Sequence, residues 1–168
     1  VMAVAWHPDG TRLASAGNDN TLRVWDAATG KQLKRLDGHT NRVMAVAWHP
    51  DGTRLASGGY DNTLRVWDAA TGKEQARHKG TTKGVIAVAW HPNGTRLASA
   101  GDDGAIRVWK TSPATLLATF EAAGPSTLSR TSGGFCLFGD AEPQRLRLAL
   151  LCPDSASVLY APLAGLRD

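Results

Sequence analysis

The ten residues VMAVAWHPDG open this chain at Val1, recur unchanged at Val43 and return at Val85 as VIAVAWHPNG. A repeat every 42 residues constrains the fold more tightly than composition does. A segment that short is one supersecondary unit; it cannot bury its own apolar surface, so copies must stack to make a core. None of the ten side chains is an obvious reactive group, so the repeat builds a scaffold and recognition lies around it.

Within the first copy, VMAVAW alternates apolar and small residues as a half-buried strand does. HPDG then reverses the chain, Pro fixing one backbone dihedral and Gly accepting a positive one. TRLASAG reads as a second strand and NDN as a second turn. TLRVWD is a third strand, with Leu22 and Val24 on one face and Thr21, Arg23 and Trp25 on the other. DAATGK makes a third turn before KQLKRLDGH, a fourth strand polar enough for a sheet edge. The unit is a four-stranded antiparallel meander, because its segments are too short and too rich in Val, Thr, Trp and Gly for helix. The spacing gives units at 1–42, 43–84 and 85–124, the last with ATLLATFEAAG as its fourth strand. Residues 125–168 are a degenerate fourth unit or a C-terminal extension. SGGFCLFGD, RLRLALL and SVLYAPL fit its second, third and fourth strands, while a rival alignment places LLCPDSAS on the HPDG turn.

At 168 residues, 42% hydrophobic and 20% charged, the chain has the make-up of a soluble globular protein. No apolar run approaches the roughly 20 residues that span a bilayer, and no secretory signal pattern is present, which points to a cytoplasmic protein. The sequence opens with Val inside a strand, which is compatible with further repeats upstream. Cys136 and Cys152 lie outside any C-x-x-C spacing and read as buried, inert thiols rather than a disulfide framework or zinc site. The net charge of +4 includes Arg12, Arg54 and Arg96 at one repeat position and Arg23, Arg65 and Arg107 at another. That distribution reads as a repeated solvated strand face, not a nucleic-acid surface.

The dipeptide Gly38-His39, followed by Trp67-Asp68 at the end of a third strand, resembles the WD40 repeat. Trp25-Asp26 matches in the first unit and Trp109 with Lys110 in the third, and the likeness is specific over about residues 1–120. It implies an all-β fold, a β-propeller segment of about four four-stranded antiparallel blades with the fourth degenerate. Blades of that family often carry a hydrogen-bonded set of His, Ser or Thr, Asp and Trp that pins the loop between blades. Carried over by position, the resemblance implies the structural set His39, Ser57, Asp61 and Trp67 in the second unit. Ser15, Asp19 and Trp25 match in the first, where the His would precede Val1. Ser99, Asp103 and Trp109 match in the third, where Thr81 stands at the His position. The second blade is thereby expected to be the most firmly pinned.

Ser, His and Asp together invite a protease reading, but Ser and Asp recur in every clear unit and are better explained as scaffold. His7, His49 and His91 occupy the same turn of three units, too far apart to share one metal ion, and read as surface turn residues. Trp6, Trp48 and Trp90 read as packing between units. Gly58-Gly59 and Gly133-Gly134 lack the strand-to-helix context of a phosphate loop. No catalytic residue, metal or cofactor is expected.

Positions at which the copies differ are where a partner is read. The residue before the turn Asp is Asn18, Tyr60 or Asp102; the first-strand entrance carries Met2, Arg42 with Met44, or Gly84 with Ile86. In WD40 propellers both regions map to the wide face around the central channel, which makes these residues the expected partner site. Tyr60, Arg42 and Met44 are side-chain types enriched in interface cores. A second cluster of differences, KQLKRLDGHTNR against KEQARHKGTTKG, lies on the outermost strand and reads as solvated drift. The expected function is a non-catalytic scaffold or sensor that binds a protein or peptide, with neither membrane nor nucleic acid as partner. Near-identical tandem units of this kind resemble the WD40 arrays of bacterial multidomain signalling proteins. Two alternatives stand beside it: a self-assembly module in which two copies close a ring as a homodimer, and part of an enzyme whose catalytic C-terminal unit contains Cys136 or Cys152.

Overall fold

The computed structural model describes residues 1–79 and 81–121 and, beyond them, the backbone of four short strands. The first sheet holds β1 (Ala3–Trp6), β2 (Arg12–Ala16), β3 (Leu22–Asp26) and β4 (Gln32–Leu36). The second holds β5 (Val43–Trp48), β6 (Arg54–Gly59), β7 (Thr63–Asp68) and β8 (Glu74–Lys79). The third holds β9 (Val85–Trp90), β10 (Arg96–Gly101), β11 (Ala105–Thr111) and β12 (Ala114–Glu121). Each sheet is an antiparallel meander in which sequence neighbours are sheet neighbours. Further on, β13 (Ser129–Arg130) pairs with β14 (Cys136–Leu137), and β15 (Leu148–Leu151) with β16 (Val158–Ala161), as two separate two-stranded ladders. The rest of the fourth unit expected at 125–168, Cys152 included, lies outside the described residues. Among the described residues the secondary structure is all β, and no helix is long and apolar enough to cross a membrane.

The second sheet is apolar on both faces, in the alternation that a pleated strand imposes. Leu55 and Trp67 pack with Leu22, Val24 and Leu36 of the first sheet, while the adjacent residues Ala56 and Val66 pack with Leu97 and Trp109 of the third. The sheets therefore stack face to face, and the core lies between units rather than inside them. The first strands come together, β1 against β5 and β5 against β9. The fourth strands, with polar stretches such as Gln32-Leu33-Lys34-Arg35, form the opposite edge.

The HPDG turns join the units at one end of the stack. In the first, the Gly10 amide donates to the His7 carbonyl and Asp9 accepts from the Thr11 amide and hydroxyl, so the turn satisfies its own polar groups. His7 then reaches across to the next turn: its Nε2 lies 3.1 Å from the Gly52 carbonyl oxygen, and its ring meets Trp48 edge-on at 4.5 Å. Arg12 covers the same indole at 5.5 Å. The arrangement recurs one unit later, with His49 against Gly94 and Trp90 and Arg54 over the Trp90 ring. Gly52 meets two demands at once, a backbone φ of +73° and a Cα so close to the His7 ring that no Cβ fits.

These contacts correct two expectations. His7 and His49 are buried joints between units, not surface turn residues, and only His91 of the three is exposed. Trp48 is 7% exposed between the first two sheets, but Trp6 at the outer face of the first is 61% exposed. Equivalent residues differ because burial is supplied by the neighbouring unit. His49→Ala should therefore lower stability by about 1–3 kcal/mol through loss of a buried polar contact and an aromatic one. His91→Ala should stay within about 0.5 kcal/mol of the parent in the same urea titration.

Candidate protein-interaction face

The end of the stack opposite the HPDG turns carries the loops that enter β1, β5 and β9 and the turns that join β2–β3, β6–β7 and β10–β11. Its best-connected part is in the second sheet. The Trp67 indole donates to Ser57 Oγ at 2.8 Å, and His39 Nε2 lies 2.7 Å from the same hydroxyl. His39 Nδ1 lies 2.9 Å from Asp61 Oδ2, so an imidazole from the loop after β4 bridges a strand hydroxyl and a turn carboxylate. Asp61 accepts further from the Thr40 amide, the Thr63 hydroxyl and Arg65 Nη2. Burial alone would raise its carboxyl, but His39, Thr63 and the Thr40 amide hold it far below the usual carboxylate range.

Arg65 overturns the reading of its repeat position as a solvated face: it is 2% exposed and donates to Asp61, Glu74 and Thr63 at 2.8, 2.8 and 2.9 Å. Arg107 is likewise buried and forks onto Asp103 at 3.1 and 2.8 Å. Arg107 and Thr82 hold the Asp103 carboxyl well below its ordinary value. The signal was in the sequence as Asp-x-x-x-Arg, present at Asp19–Arg23, Asp61–Arg65 and Asp103–Arg107. A buried guanidinium needs a carboxylate of this kind, since an uncompensated charge would not stay in the interior.

The other two sheets hold the same elements in different company. In the first, Trp25 donates to Ser15 at 2.9 Å, and Asp19 takes Arg23 and Thr21. Beside them a cavity of about 230 Å³ is lined by Val1, Ser15, Asn18, Asp19, Arg23 and Trp25. In the third, Trp109 donates to Ser99 at 2.8 Å, but Thr81 turns away from the carboxylate and donates to the Asn62 carbonyl. It is Thr82 that donates to Asp103, at 2.7 Å. His78, in the segment read as solvated drift, is buried against the Trp109 ring at 5.1 Å, and burial pushes its imidazole down from its ordinary value. It stands where the first unit has Leu36, so that interior site accepts either side chain.

The residues that differ between copies occupy one structural position each. Val43 pairs with Gly59 and Ala45 with Gly58, leaving Met44 as the extra residue of a β-bulge. Ile86 is the extra residue in the third sheet, between the Val85 and Ala87 pairings. A bulge re-aims the side chain it carries, and Met2 and Ile86 are exposed while Met44 is half-buried. Tyr60 donates its amide to the Arg42 carbonyl, as Asp102 does to Gly84, which places each turn residue beside the entrance of its own sheet. The Tyr60 ring, however, lies on Gly84 at the entrance to the third sheet, so close that a Cβ there would collide. Arg42, Asn18 and Asp102 are exposed.

The repeat, the four-stranded sheets and the buried Trp, Ser and Asp are all features of one family. The chain belongs to the WD40 family. The model for the WD domain, G-beta repeat, matches residues 1–26, 30–68 and 72–110. The chain is also similar to a probable serine/threonine-protein kinase, PkwA, of Thermomonospora curvata, with 49% identity over 42 residues, 25% of this chain. That match spans 6% of the relative's length. WD40 repeats generally mediate protein–protein contacts and are typically non-catalytic.

Trp67→Phe, which removes the indole donor to Ser57, should cost about 1–3 kcal/mol by urea denaturation. Asp61 contributes stability that is complete above its unfolded pKa near ~4 and is lost as pH falls toward its lower folded value. Asp61→Asn should thus be less stable at neutral pH yet lose less on acidification from pH ~5 to ~3, read from urea midpoints.

Proposed function

We propose that this chain is a non-catalytic interaction module whose blades, the last a degenerate unit at 125–168, present a partner site at the ends of their sheets. The module binds a protein or peptide around Tyr60, Arg42 and Met44, with Asn18, Asp102, Met2 and Ile86 as the variable surround. The observation that carries the reading is the division of labour within each repeat. Most side chains that build the inner strands recur in every copy, whereas the residue before the turn Asp is Asn18, Tyr60 or Asp102 and the first-strand entrance is Met2, Arg42 with Met44, or Gly84 with Ile86. An aromatic ring, a guanidinium and a thioether together form a chemistry suited to an interface core. The short, close match to a protein named as a probable kinase supports a module that works beside other domains, with sensing or scaffolding as its role.

Tyr60→Ala and Arg42→Ala test the site directly. Peptides selected from a displayed random library on the parent chain should bind each variant at least about tenfold more weakly, while urea midpoints stay near that of the parent. Equal affinity for the parent and both variants would reject this face.

A further inference from the structure

One interior position holds leucine in the first unit and histidine in the second. On β4 the residue paired with Leu22 is Leu36; on β8 the residue paired with Leu64 is His78. Leu36 is buried in the apolar joint between the first two sheets. His78 is 3% exposed, and its ring lies 5.1 Å from that of Trp109, across the joint between the second sheet and the third. Trp109 belongs there to an apolar core with Ala56, Leu64, Val66 and Leu97. The Nε2 atom of His78 is buried and has no hydrogen-bond partner among the described residues. Leucine keeps one charge state at every pH, but an imidazole gains a charge in the mildly acid range, and an apolar joint suits only its neutral form.

We propose that His78 makes the joint between the second and third sheets an acid-sensitive latch, closed by the neutral ring and opened by its protonation. The inference does not rest on the partner face, although the Tyr60 ring crosses the same joint to Gly84. The charged groups on the elements packed against His78 are engaged elsewhere. On β7, Arg65 is held by Asp61 and Glu74, and Asp68 accepts from Thr71 in its own turn. On β11, Arg107 forks onto Asp103 and Lys110 is exposed. On β8 itself, Glu74 takes Arg77, while Arg77 and Lys79 are exposed. The one charged residue of β12, Glu121, pairs with Ala105 at the end of that strand. Burial pushes the His78 imidazole down from its ordinary value. The unfolded chain therefore takes up a proton near pH ~6.5 that the closed joint refuses, and stability is lost as pH falls from there toward the lower folded value. Asp61 and Asp103 stay ionised in that window, their carboxyls being held well below the ordinary range.

The test is amide hydrogen exchange of the full chain at pH ~7 and pH ~5.5, corrected for intrinsic rates, in the parent and in His78→Leu. In the parent, protection of β10 and β11 should fall about fivefold or more on acidification, since one proton changes an opening equilibrium by at most about tenfold per pH unit. His78→Leu, which writes the first unit's residue into the second, should remove most of that loss. Equal losses in parent and variant overturn the proposal. Nitrogen-15 NMR of the histidine rings in the parent is the second measurement, and it needs no substitution. The His78 ring should stay neutral below the ~6.5 of an ordinary imidazole while the strands are protected. A His78 ring that is charged at pH ~6 while β11 keeps its protection also overturns the proposal, because the closed joint would then accept the proton.

Discussion

The second sheet of this protein is apolar on both faces, and a two-faced sheet has no stable existence alone. That constraint orders the rest of the structure. A helix or a one-faced sheet can bury its single stripe within its own domain, but here the side chains of β6 and β7 alternate between two different neighbours. Leu55 belongs to one core and Ala56 to the next. The unit of stability is the joint between copies, which is why near-identical sequences can have very different surroundings. Trp6 and Trp48 share a sequence context and differ only in whether a preceding sheet covers them.

A stack of this kind needs devices that fix the angle and register of one sheet on the next. The structure supplies two, at opposite ends. At the HPDG turns an imidazole reaches the neighbouring turn's carbonyl and an indole sits under a guanidinium. At the other end, His39 crosses from the loop after the first sheet into the Ser57 and Asp61 of the second. The carboxylate is the centre of that second device, because it serves the imidazole, a loop amide, a hydroxyl and a buried guanidinium together. Hydrogen bonds to an ionised acceptor are stronger than neutral ones, and in a partly buried site they are not diluted by solvent. The variable residues stand on this rigid end, at bulges and turns that the ladder no longer constrains.

Much of this was legible in the sequence, because repetition converts one reading into three. The meander, its turns and the WD40 likeness all followed from VMAVAWHPDG and the Trp-Asp positions. Burial was harder to read, because it depends on neighbours that a single strand does not reveal. The alternation in TLRVWD puts Arg65 opposite Val66 without saying that the face bearing Arg65 is covered by a carboxylate network. Its partner was in view four residues earlier, but a charged residue recurring on a strand looks the same whether it is paired inside or solvated outside. His7 and His49 misled for the same reason, since a turn residue is ordinarily at the surface and only the stacking of turns buries them. Thr81 shows the limit of transfer by position: it aligns with His39 and makes a different bond.

The central claim is that cohesion comes from joints and is therefore greatest where a unit is covered on both faces and carries the His39 bridge. Amide hydrogen exchange, resolved strand by strand, measures that distribution most directly. The account predicts the slowest exchange in β6 and β7, with faster exchange in the corresponding strands β2, β3, β10 and β11. Uniform protection across the three sheets, or a second sheet that exchanges as fast as the first, would contradict it.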